Sequence, residues 1–300
     1  MTPQKKDQPS PDTNFEYPME WPVDNETYHA DETHTSSSHL KEIIRSPEHY
    51  KAVHIDKMVT PKEPTKAMMI GSVLHGIVLE DKMPGDMAVA KPEDLNKGKG
   101  ARARAAEFRE QAAQNNQYIL DPQDFIDIGV MTGSLRRNPM AKRLLWHDER
   151  VCERPYVWID EVSGVKCKAK PDLVCPGISQ PVAMCDLKTA DDPSPFAFGD
   201  AASGLMYDVS AVHYMDGYAK LTGIDLDDVE FLFITVGTSP PWATHIYRMP
   251  DPVLKVARSM HREALDTLAA CRLTGVWEDL SYGTVEPLRW PSFRRRRRRF

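Results

Sequence analysis

The sequence predicts an α/β fold, and three observations lead to this prediction. Apolar residues recur at helical spacing through much of the chain up to residue 146. A pattern of alternating β-branched and aromatic residues then runs from residue 151 to residue 187. A helical segment, two apolar strands and a long final helix follow. A chain of 300 residues that is 41% hydrophobic can bury a full core, so we expect one elaborated domain over residues 34–291.

Both ends of the chain are expected to lie outside this domain. Residues 1–33 are rich in Pro, Asp, Glu, Thr and Asn and show little apolar periodicity, which indicates a flexible tail. Residues 292–300 contain the six consecutive arginines Arg294–Arg299. Such a run can neutralise several DNA phosphates, but a disordered or artificially added tail explains it as well.

The first half of the domain reads as a series of helices. Serines at positions 36–38 offer N-caps to a short helix containing Leu40 and Ile43, which Ser46-Pro47 interrupts. A second, buried helix is predicted over Ala67–Glu80. Residues 92–109 read as a mobile basic loop that runs into a helix, and residues 121–146 as a further helical stretch.

The middle of the chain reads as a β-meander with strands at residues 151–159, 165–174 and 182–187. Turn residues at 161–164 and at Pro176-Gly177 separate them. A helix is then predicted from about residue 198 to residue 221, with Gly223 as its C-cap residue. Strands at 230–236 and 244–249 precede a last helix that opens at Asp251-Pro252 and runs through Cys271.

Charge and hydropathy narrow the range of partners. The chain carries 38 Lys+Arg against 44 Asp+Glu, a formal charge of -6, so it has no global basic field that would attract a polyanion. Contacts with a nucleic acid must therefore be local. No segment approaches the ~20 apolar residues that cross a bilayer, and the N-terminus lacks the pattern of a signal peptide. We expect a cytoplasmic protein that makes no membrane contact.

The most informative stretch is Pro171-Asp172 followed by Asp186-Leu187-Lys188. Side chains alternate along a strand, so Asp186 and Lys188 project to one face of the third predicted strand. If the second and third strands pair, Asp172 lies beside Asp186. Two carboxylates can hold a hard Mg²⁺ that polarises a phosphate, and the ammonium can orient the attacking water. The alternative is a surface salt bridge between Asp186 and a lysine.

Five segments of the chain resemble, in the same order, the RecE-type (exonuclease VIII-like) exodeoxyribonuclease group of phages and prophages within the PD-(D/E)xK superfamily. They are SSSHLKEIIRSPEHY, GSVLHGIVLE, GVKCKAKPD, CDLKTADDPSPFAF and YDVSAVHYMDGYAKLTG. The resemblance is more distant to RecB-type nuclease domains, and it extends from about residue 36 to residue 290. The resemblance implies a restriction-endonuclease-like core, with a central mixed β-sheet flanked by helices. It also implies that the protein acts in the cytoplasm of a bacterial host cell.

The resemblance also implies roles for individual residues. Asp172, Asp186 and Lys188 match the residues that bind metal and position the water in this family. His75 matches a further metal ligand on an early helix, and Leu187 joins the metal site. Without the resemblance, a histidine on an apolar helix is more typical of a core residue. The implied cofactor is Mg²⁺, or Mn²⁺ in its place.

Four more residues are candidates for lining the site. Glu153 matches a position at which relatives often keep an acidic residue, and its alternative is a charge at a strand edge. Tyr207, Ser210 and Tyr214 lie at i, i+3 and i+7 on one face of a predicted helix. Relatives usually carry glutamine where this chain has Ser210. A catalytically decayed, nuclease-like DNA-binding or interaction protein is therefore the competing hypothesis.

The implied activity is digestion of double-stranded DNA ends in the 5′ to 3′ direction. It leaves 3′ overhangs for a single-strand annealing protein of the RecT type, and the implied assembly is a ring-shaped homo-oligomer. Candidate DNA contacts lie outside the motif, with a solvated helix face as the alternative. They are Arg102, Arg104, Arg136 and Arg137.

The five cysteines are predicted to be reduced, buried thiols, because they are odd in number and include no C-x-x-C pair. Some related nucleases carry an iron-sulfur cluster, which offers a third hypothesis. Its ligands would be Cys152, Cys167, Cys175 and Cys185. Three of these lie on predicted strands without a tight thiolate-bearing loop, so the spacing disfavours a cluster.

Overall fold

A computed structural model of the protein describes residues 16–60, 63–176, 181–278 and 285. The Arg294–Arg299 run and the predicted turn residue Gly177 lie outside these residues. The strands are β1 (Met19–Glu20), β2 (Ala88–Ala90), β3 (Tyr118–Leu120), β4 (Val151–Cys152), β5 (Tyr156–Ile159), β6 (Lys166–Ala169), β7 (Leu173–Cys175), β8 (Val182–Ala190), β9 (Val229–Gly237) and β10 (Thr244–Arg248).

The helices confirm most of the elements predicted in the first half. They are α1 (Asn25–Ala30), α2 (Ser37–Arg45), α3 (Pro47–Tyr50), α4 (Lys66–Leu79), α5 (Pro84–Met87), α6 (Ala101–Gln114), α7 (Pro122–Arg137), α8 (Pro139–Leu145), α9 (Pro195–Gly204), α10 (Tyr207–Thr222) and α11 (Asp251–Thr274). A turn of π-helix spans Lys51–Ile55, and a 3₁₀ turn spans Leu226–Asp228. Among the described helices, none has both the length and the apolar character that crossing a bilayer requires.

The centre of the fold is a mixed five-stranded sheet in the order β10-β9-β8-β7-β4. β8 and β9 are parallel, and the other neighbours in this sheet are antiparallel. Two smaller sheets have the orders β1-β5-β6 and β2-β3. The predicted α/β class, with a central mixed sheet flanked by helices, is confirmed.

Helices cover both faces of the central sheet. On one face, Leu74 of α4 and Ile128 of α7 belong to the same buried cluster as Leu187 and Ile234. Clusters on the other face include Val212 of α10 and Leu254 of α11. Because β8 and β9 are buried on both sides, their sequences are nearly continuous apolar runs. A polar residue within such a strand therefore needs a partner or a function.

The three strands predicted as one meander are divided between two sheets. β5 and β6 form a hairpin in the three-stranded sheet, whereas β4, β7 and β8 belong to the central sheet. The single meander was therefore wrong. Two of the predicted strands are each interrupted at a proline, the first at Pro155 before β5 and the second at Pro171 before β7. Proline has no N–H group to donate to a neighbouring strand.

Two predicted helical stretches are each broken in the structure. α7 ends before Asn138, whose Oδ1 accepts hydrogen bonds from the N–H groups at the start of α8. The helix predicted over residues 198–221 is divided into α9 and α10, with Met206 between them in the left-handed conformation at φ 50°. The predicted C-cap is confirmed, because Gly223 has φ 73° and its N–H donates to the Ala219 carbonyl.

Residues 16–33, which we call the N-terminal strap, were assigned to a flexible tail by the sequence, and this boundary was wrong. β1 pairs with β5, and α1 follows it. Trp21 and Tyr28 are buried against Val157 of β5. Average composition hid these contacts, because a few aromatic anchors are enough to hold an otherwise polar segment.

Lys168 of β6 binds the strap through its buried ammonium group. Its side chain is 3% exposed, and Nζ donates to the Tyr28 and Asp31 carbonyl oxygens at 2.7 Å each. The same ammonium lies 3.1 Å from Asp31 Oδ2. A buried lysine is costly unless it is paired, and here the strap supplies all three oxygens.

We expect Lys168→Met to destabilise the protein by about 3–5 kcal/mol, because it removes the ammonium that pairs with the Asp31 carboxylate and leaves two buried carbonyl oxygens of the strap without this donor. Urea unfolding at neutral pH measures this change. Lys255→Met, which removes the same charge from an exposed position on α11, is the matched control and should cost less than about 1 kcal/mol. Equal effects of the two substitutions would show that Lys168 does not anchor the strap.

A buried histidine pair lies between α10 and α11. His213 Nε2 donates to the Lys168 carbonyl at 3.0 Å, so its Nδ1 accepts from His261 Nε2, also at 3.0 Å. Burial lowers the pKa of His213 to about 3 and the pKa of His261 to about 4. Adding a proton to His213 would place an N–H against the N–H of its neighbour.

Both histidines are neutral when folded and gain protons more readily when unfolded, near pH 6.5. The stability that they contribute is therefore present above pH 6.5 and is lost as pH falls towards their folded pKa values. We expect the free energy of unfolding to fall with acidification by about 1.4 kcal/mol per pH unit for each proton taken up. His213→Gln should reduce this slope and His245→Gln, an exposed control, should not. An unchanged slope in His213→Gln would contradict the assignment.

Candidate active site

A cavity of about 1280 Å³ opens between the strap, α4, α10 and the end of β8. Histidine, carboxylate and ammonium groups meet in its wall. These charged or ionisable residues include His75, Glu153, Lys170, Asp172 and Lys188. Such a mixture of metal-binding and cationic groups in one concave surface is typical of an active site.

Strand register brings the two halves of the sequence motif together. β7 pairs with β8 antiparallel, with Leu173 opposite Cys185, so Asp172 lies next to the segment that begins at Asp186. The Leu187 N–H donates to Asp172 Oδ2 at 2.8 Å. The two strands are therefore neighbours, as the predicted clustering of the carboxylates required.

Asp186 and Lys188 form an ion pair on β8. Lys188 Nζ lies 2.5 Å from Asp186 Oδ2, an atom that is buried and has no partner of hydrogen-bonding geometry among the described residues. Burial raises the pKa of Asp186. Burial alone would lower the pKa of Lys188, but the Asp186 and Asp172 carboxylates outweigh this effect and raise it, so Lys188 remains an ammonium.

His75 of α4 faces this pair from the neighbouring layer. Its Nε2 donates to the Leu187 carbonyl at 2.6 Å, and its Nδ1 lies 3.6 Å from Asp172 Oδ2. The hydrogen bond on Nε2 fixes the ring so that the lone pair on Nδ1 points towards the carboxylate. Leu187 therefore contributes through its backbone: its N–H orients Asp172 and its carbonyl orients His75.

Glu153 lies between β4 and β5 and is the third carboxylate of the site, after Asp172 and Asp186. It adopts the left-handed conformation at φ 50°, and its N–H donates to the Asp172 carbonyl at 3.1 Å. Its carboxylate pairs with Lys170, whose Nζ also donates to Asn25 Oδ1 in the strap at 2.7 Å. Burial, together with the nearby Asp172, raises the pKa of Glu153. A non-glycine residue in this conformation stores strain, as is common at functional sites.

The site contains a set of metal-ligating atoms. One ligand atom from each of His75, Glu153 and Asp172 lies within 4.8 Å of the other two. Asp186 is not part of this set; its carboxylate is buried against Lys188 and interacts electrostatically with Asp172 and His75. Carboxylate oxygens with one imidazole suit a divalent cation such as Mg²⁺ or Mn²⁺. Three carboxylates also outnumber the two paired ammonium groups, so a cation would relieve their mutual repulsion.

Residues 36–288 match the family described as a PDDEXK-like domain of unknown function (DUF3799). This chain belongs to that family. Divalent metals are the general cofactors of PDDEXK nucleases, in agreement with the ligand set described above. No curated protein matches the sequence at a significant level.

The fold of this PDDEXK-like domain also occurs in a solved structure, that of a "Putative exonuclease" from Eubacterium rectale. The TM-score is 0.58 at 13% sequence identity, over 88% of this chain and 94% of that chain. At this identity the likeness shows a shared nuclease-like fold. A second solved structure, of SSO0001, has a TM-score of 0.28 at 11% identity, over 81% of this chain and 88% of that one. This TM-score is too low to indicate a shared fold.

Of the three α10 residues predicted to line the site, only two border the cavity. Tyr207 and Tyr214 line it. Ser210 instead donates a hydrogen bond from its hydroxyl to Ser37 Oγ at 3.3 Å, between α10 and α2. Ser210 is therefore used in helix packing in this structure.

None of the four arginines predicted to contact DNA is among the described residues that line the cavity. Arg104 donates to the Lys97 and Lys99 carbonyl oxygens and so holds the loop before α6. The Arg136 guanidinium stacks over Trp146 at 4.6 Å. Arg102 and Arg137 are exposed, on α6 and α7. A role in DNA binding stays a prediction for all four.

Sequence reasoning missed two residues that hold the acidic group, Lys170 and Asn25. Lys170 carried a signal, because it lies two positions before Asp172 in the segment KAKPD. Asn25 carried none, since its contact with Lys170 spans 145 positions of the chain. Contacts of this length depend on how the strap packs, which local patterns do not encode.

The cysteines are all free thiols, divided between separate cores. Cys167 is buried with residues of α2 and α11, while Cys175 and Cys185 are buried beneath α4 and α7. Cys152 packs against the second of these cores. Four ligands so distributed cannot hold one iron-sulfur cluster, and the cluster hypothesis is rejected.

We expect Mn²⁺ or Mg²⁺ to stabilise the protein by about 2.7 kcal/mol at a concentration of 100 times Kd, because the ligands are preassembled only in the folded state. Thermal melts with and without the metal measure this. His75→Ala and Asp172→Asn should lose most of the shift, whereas Glu263→Gln, an exposed carboxylate on α11, should keep it. An equal shift in all variants would place the metal elsewhere.

Proposed function

We propose that this protein is a metal-dependent exodeoxyribonuclease that hydrolyses phosphodiester bonds at the ends of linear double-stranded DNA. The observation that carries the proposal is a cavity lined by His75, Glu153, Asp172 and Lys188, in which Lys188 pairs with the buried carboxylate of Asp186. Hydrolysis of a phosphodiester needs a metal site, a positioned water and a cation near the developing charge. This group of side chains offers all three.

Each residue has a proposed task. Asp172, Asp186, His75 and Glu153 would hold the cation, which when bound polarises the phosphate and supplies bound water. Lys188 presents a permanent ammonium next to the carboxylates, where it orients the attacking water and offsets negative charge that develops on the phosphate oxygens. Leu187 keeps Asp172 and His75 in place through its two backbone groups.

The finer features of the proposal come from the resemblance to RecE-type nucleases. They are Mg²⁺ as the resident metal, 5′ to 3′ polarity, a 3′ overhang, a RecT-type annealing partner, a ring-shaped homo-oligomer and a role in phage recombination. The exonuclease description of the Eubacterium rectale protein supports action on an end, as an analogy between folds.

The competing function is duplex binding by a catalytically decayed relative, which Ser210 motivates. What supports catalysis is that the residues assigned to metal and water are all present, whereas the Ser210 hydroxyl packs against Ser37 between two helices. Three buried or half-buried carboxylates that repel one another lower the stability of the fold. Their presence therefore supports a site that still works over one that has decayed.

The decisive assay is digestion of linear duplex DNA, labelled at the 5′ or the 3′ end, with and without Mg²⁺. We expect metal-dependent loss of nucleotides from linear but not circular DNA. Asp186→Asn and Lys188→Ala should each lower the rate by about 10²–10³-fold or more, because each removes a charge that acts on the transition state.

Two variants on exposed α11 positions, Glu263→Gln and Lys255→Ala, make the same changes of charge away from the cavity and should keep full activity. The label that is released first reports the polarity. Binding of the duplex without cleavage under Mg²⁺ or Mn²⁺ would favour the decayed protein. Cleavage of circular DNA would replace the exonuclease with an endonuclease.

A further inference from the structure

Lys41 of α2 is a cation that the sequence motif does not include. It is half-buried, and it has no hydrogen bond or ion pair with any described residue of the chain. Its contact is with the ring of Tyr207, whose centroid lies 5.4 Å from Lys41 Nζ. The carboxylates of Asp186 and Asp208 act on the charge of Lys41, but neither forms an ion pair with it. Partial burial of a lysine without an ion pair has a desolvation cost that packing alone does not explain.

The same ring carries a second ammonium. Lys188 Nζ lies 5.2 Å from the Tyr207 centroid, so the two Nζ atoms are less than about 11 Å apart. Burial, and then the positive charge of Lys188, lower the pKa of Lys41 to about 8. Two like charges on one aromatic ring repel each other, and an anion between or beside them would remove the repulsion.

A polar group on the same face of α2 points to the chemistry of that anion. Ser38 is exposed, lies three residues before Lys41 on α2, and lines the cavity together with Tyr207 and Lys188. Hydroxyl and ammonium donors are the side chains that hold phosphate oxygens in protein–DNA contacts.

We propose that Lys41 is a further substrate-binding residue, which contacts a backbone phosphate of the DNA next to the phosphate held at Lys188, with the Tyr207 ring spacing the two cations. This inference rests on the proposed function. It adds a second point of attachment on the DNA strand, which fixes the position of the strand relative to the reacting bond. Its structural alternative is a clamp in which Lys41 and Tyr207 only hold α2 on α10.

The test measures DNA binding without cleavage, in EDTA, across about 50–200 mM salt. The probe is a short blunt duplex, and the full-length variants are Lys41→Met, Lys41→Arg and the control Lys255→Met. Each phosphate contact contributes about 0.9 to the slope of log K against log salt. We expect Lys41→Met to reduce the slope by about this amount and to weaken binding at low salt about tenfold. Lys41→Arg should keep both values.

Lys255→Met removes the same charge from an exposed position on α11 that does not line the cavity, so it should match the wild type. Thermal melts report whether each variant is folded. A folded Lys41→Met protein with the wild-type slope and affinity would overturn the proposal and leave the clamp. This result is distinguishable from a failure of the proposed function, in which the wild type binds the duplex but does not cleave it when metal is added.

Discussion

The hydrogen bond from the Leu187 N–H to Asp172 Oδ2 is the interaction on which the rest of the site depends. It forms where the chain leaves the three-stranded sheet at Pro171 and enters the central sheet as β7. The backbone of Asp172 holds Glu153, and the backbone of Leu187 holds His75. A change in the register of β7 and β8 would therefore displace every proposed metal ligand at once, which ties the site to the pairing of two buried strands.

This arrangement concentrates like charges that the fold alone would not favour. Burial raises the pKa of both Glu153 and Asp186, so the folded chain holds these groups against an electrostatic cost. Lys170 and Lys188 offset part of it through ion pairs. A divalent cation at the proposed site would relieve the remainder, and because His75, Glu153 and Asp172 already converge, its binding would need little reorganisation. The electrostatic cost of the carboxylates and the proposed affinity for metal would thus have the same origin.

The sequence predicted the parts of the site that depend on local periodicity. Alternation along one strand placed Asp186 and Lys188 together, and pairing of the neighbouring strands brought Asp172 beside them. His75 was predicted as a metal ligand only through the family resemblance, because a histidine on an apolar helix is more typical of a core residue. The single meander was wrong, since Pro155 and Pro171 each end a strand within an otherwise β-like pattern. The strap was missed because its anchors, Trp21 and Tyr28, are too few to change the average composition of its segment.

The strap makes the functional unit larger than the family match. That match begins at residue 36, whereas the strap covers residues 16–33 and supplies Asn25, Tyr28 and His29 to the cavity wall. Two alternate lysines near the end of β6 join it to the site: Lys168 is buried against the strap backbone, and Lys170 bridges Asn25 and Glu153. Movement of the strap would therefore change the pairing of Lys170, and with it the charge that Glu153 presents to a metal. A segment that composition marks as a tail is, through these contacts, part of the electrostatics of the site.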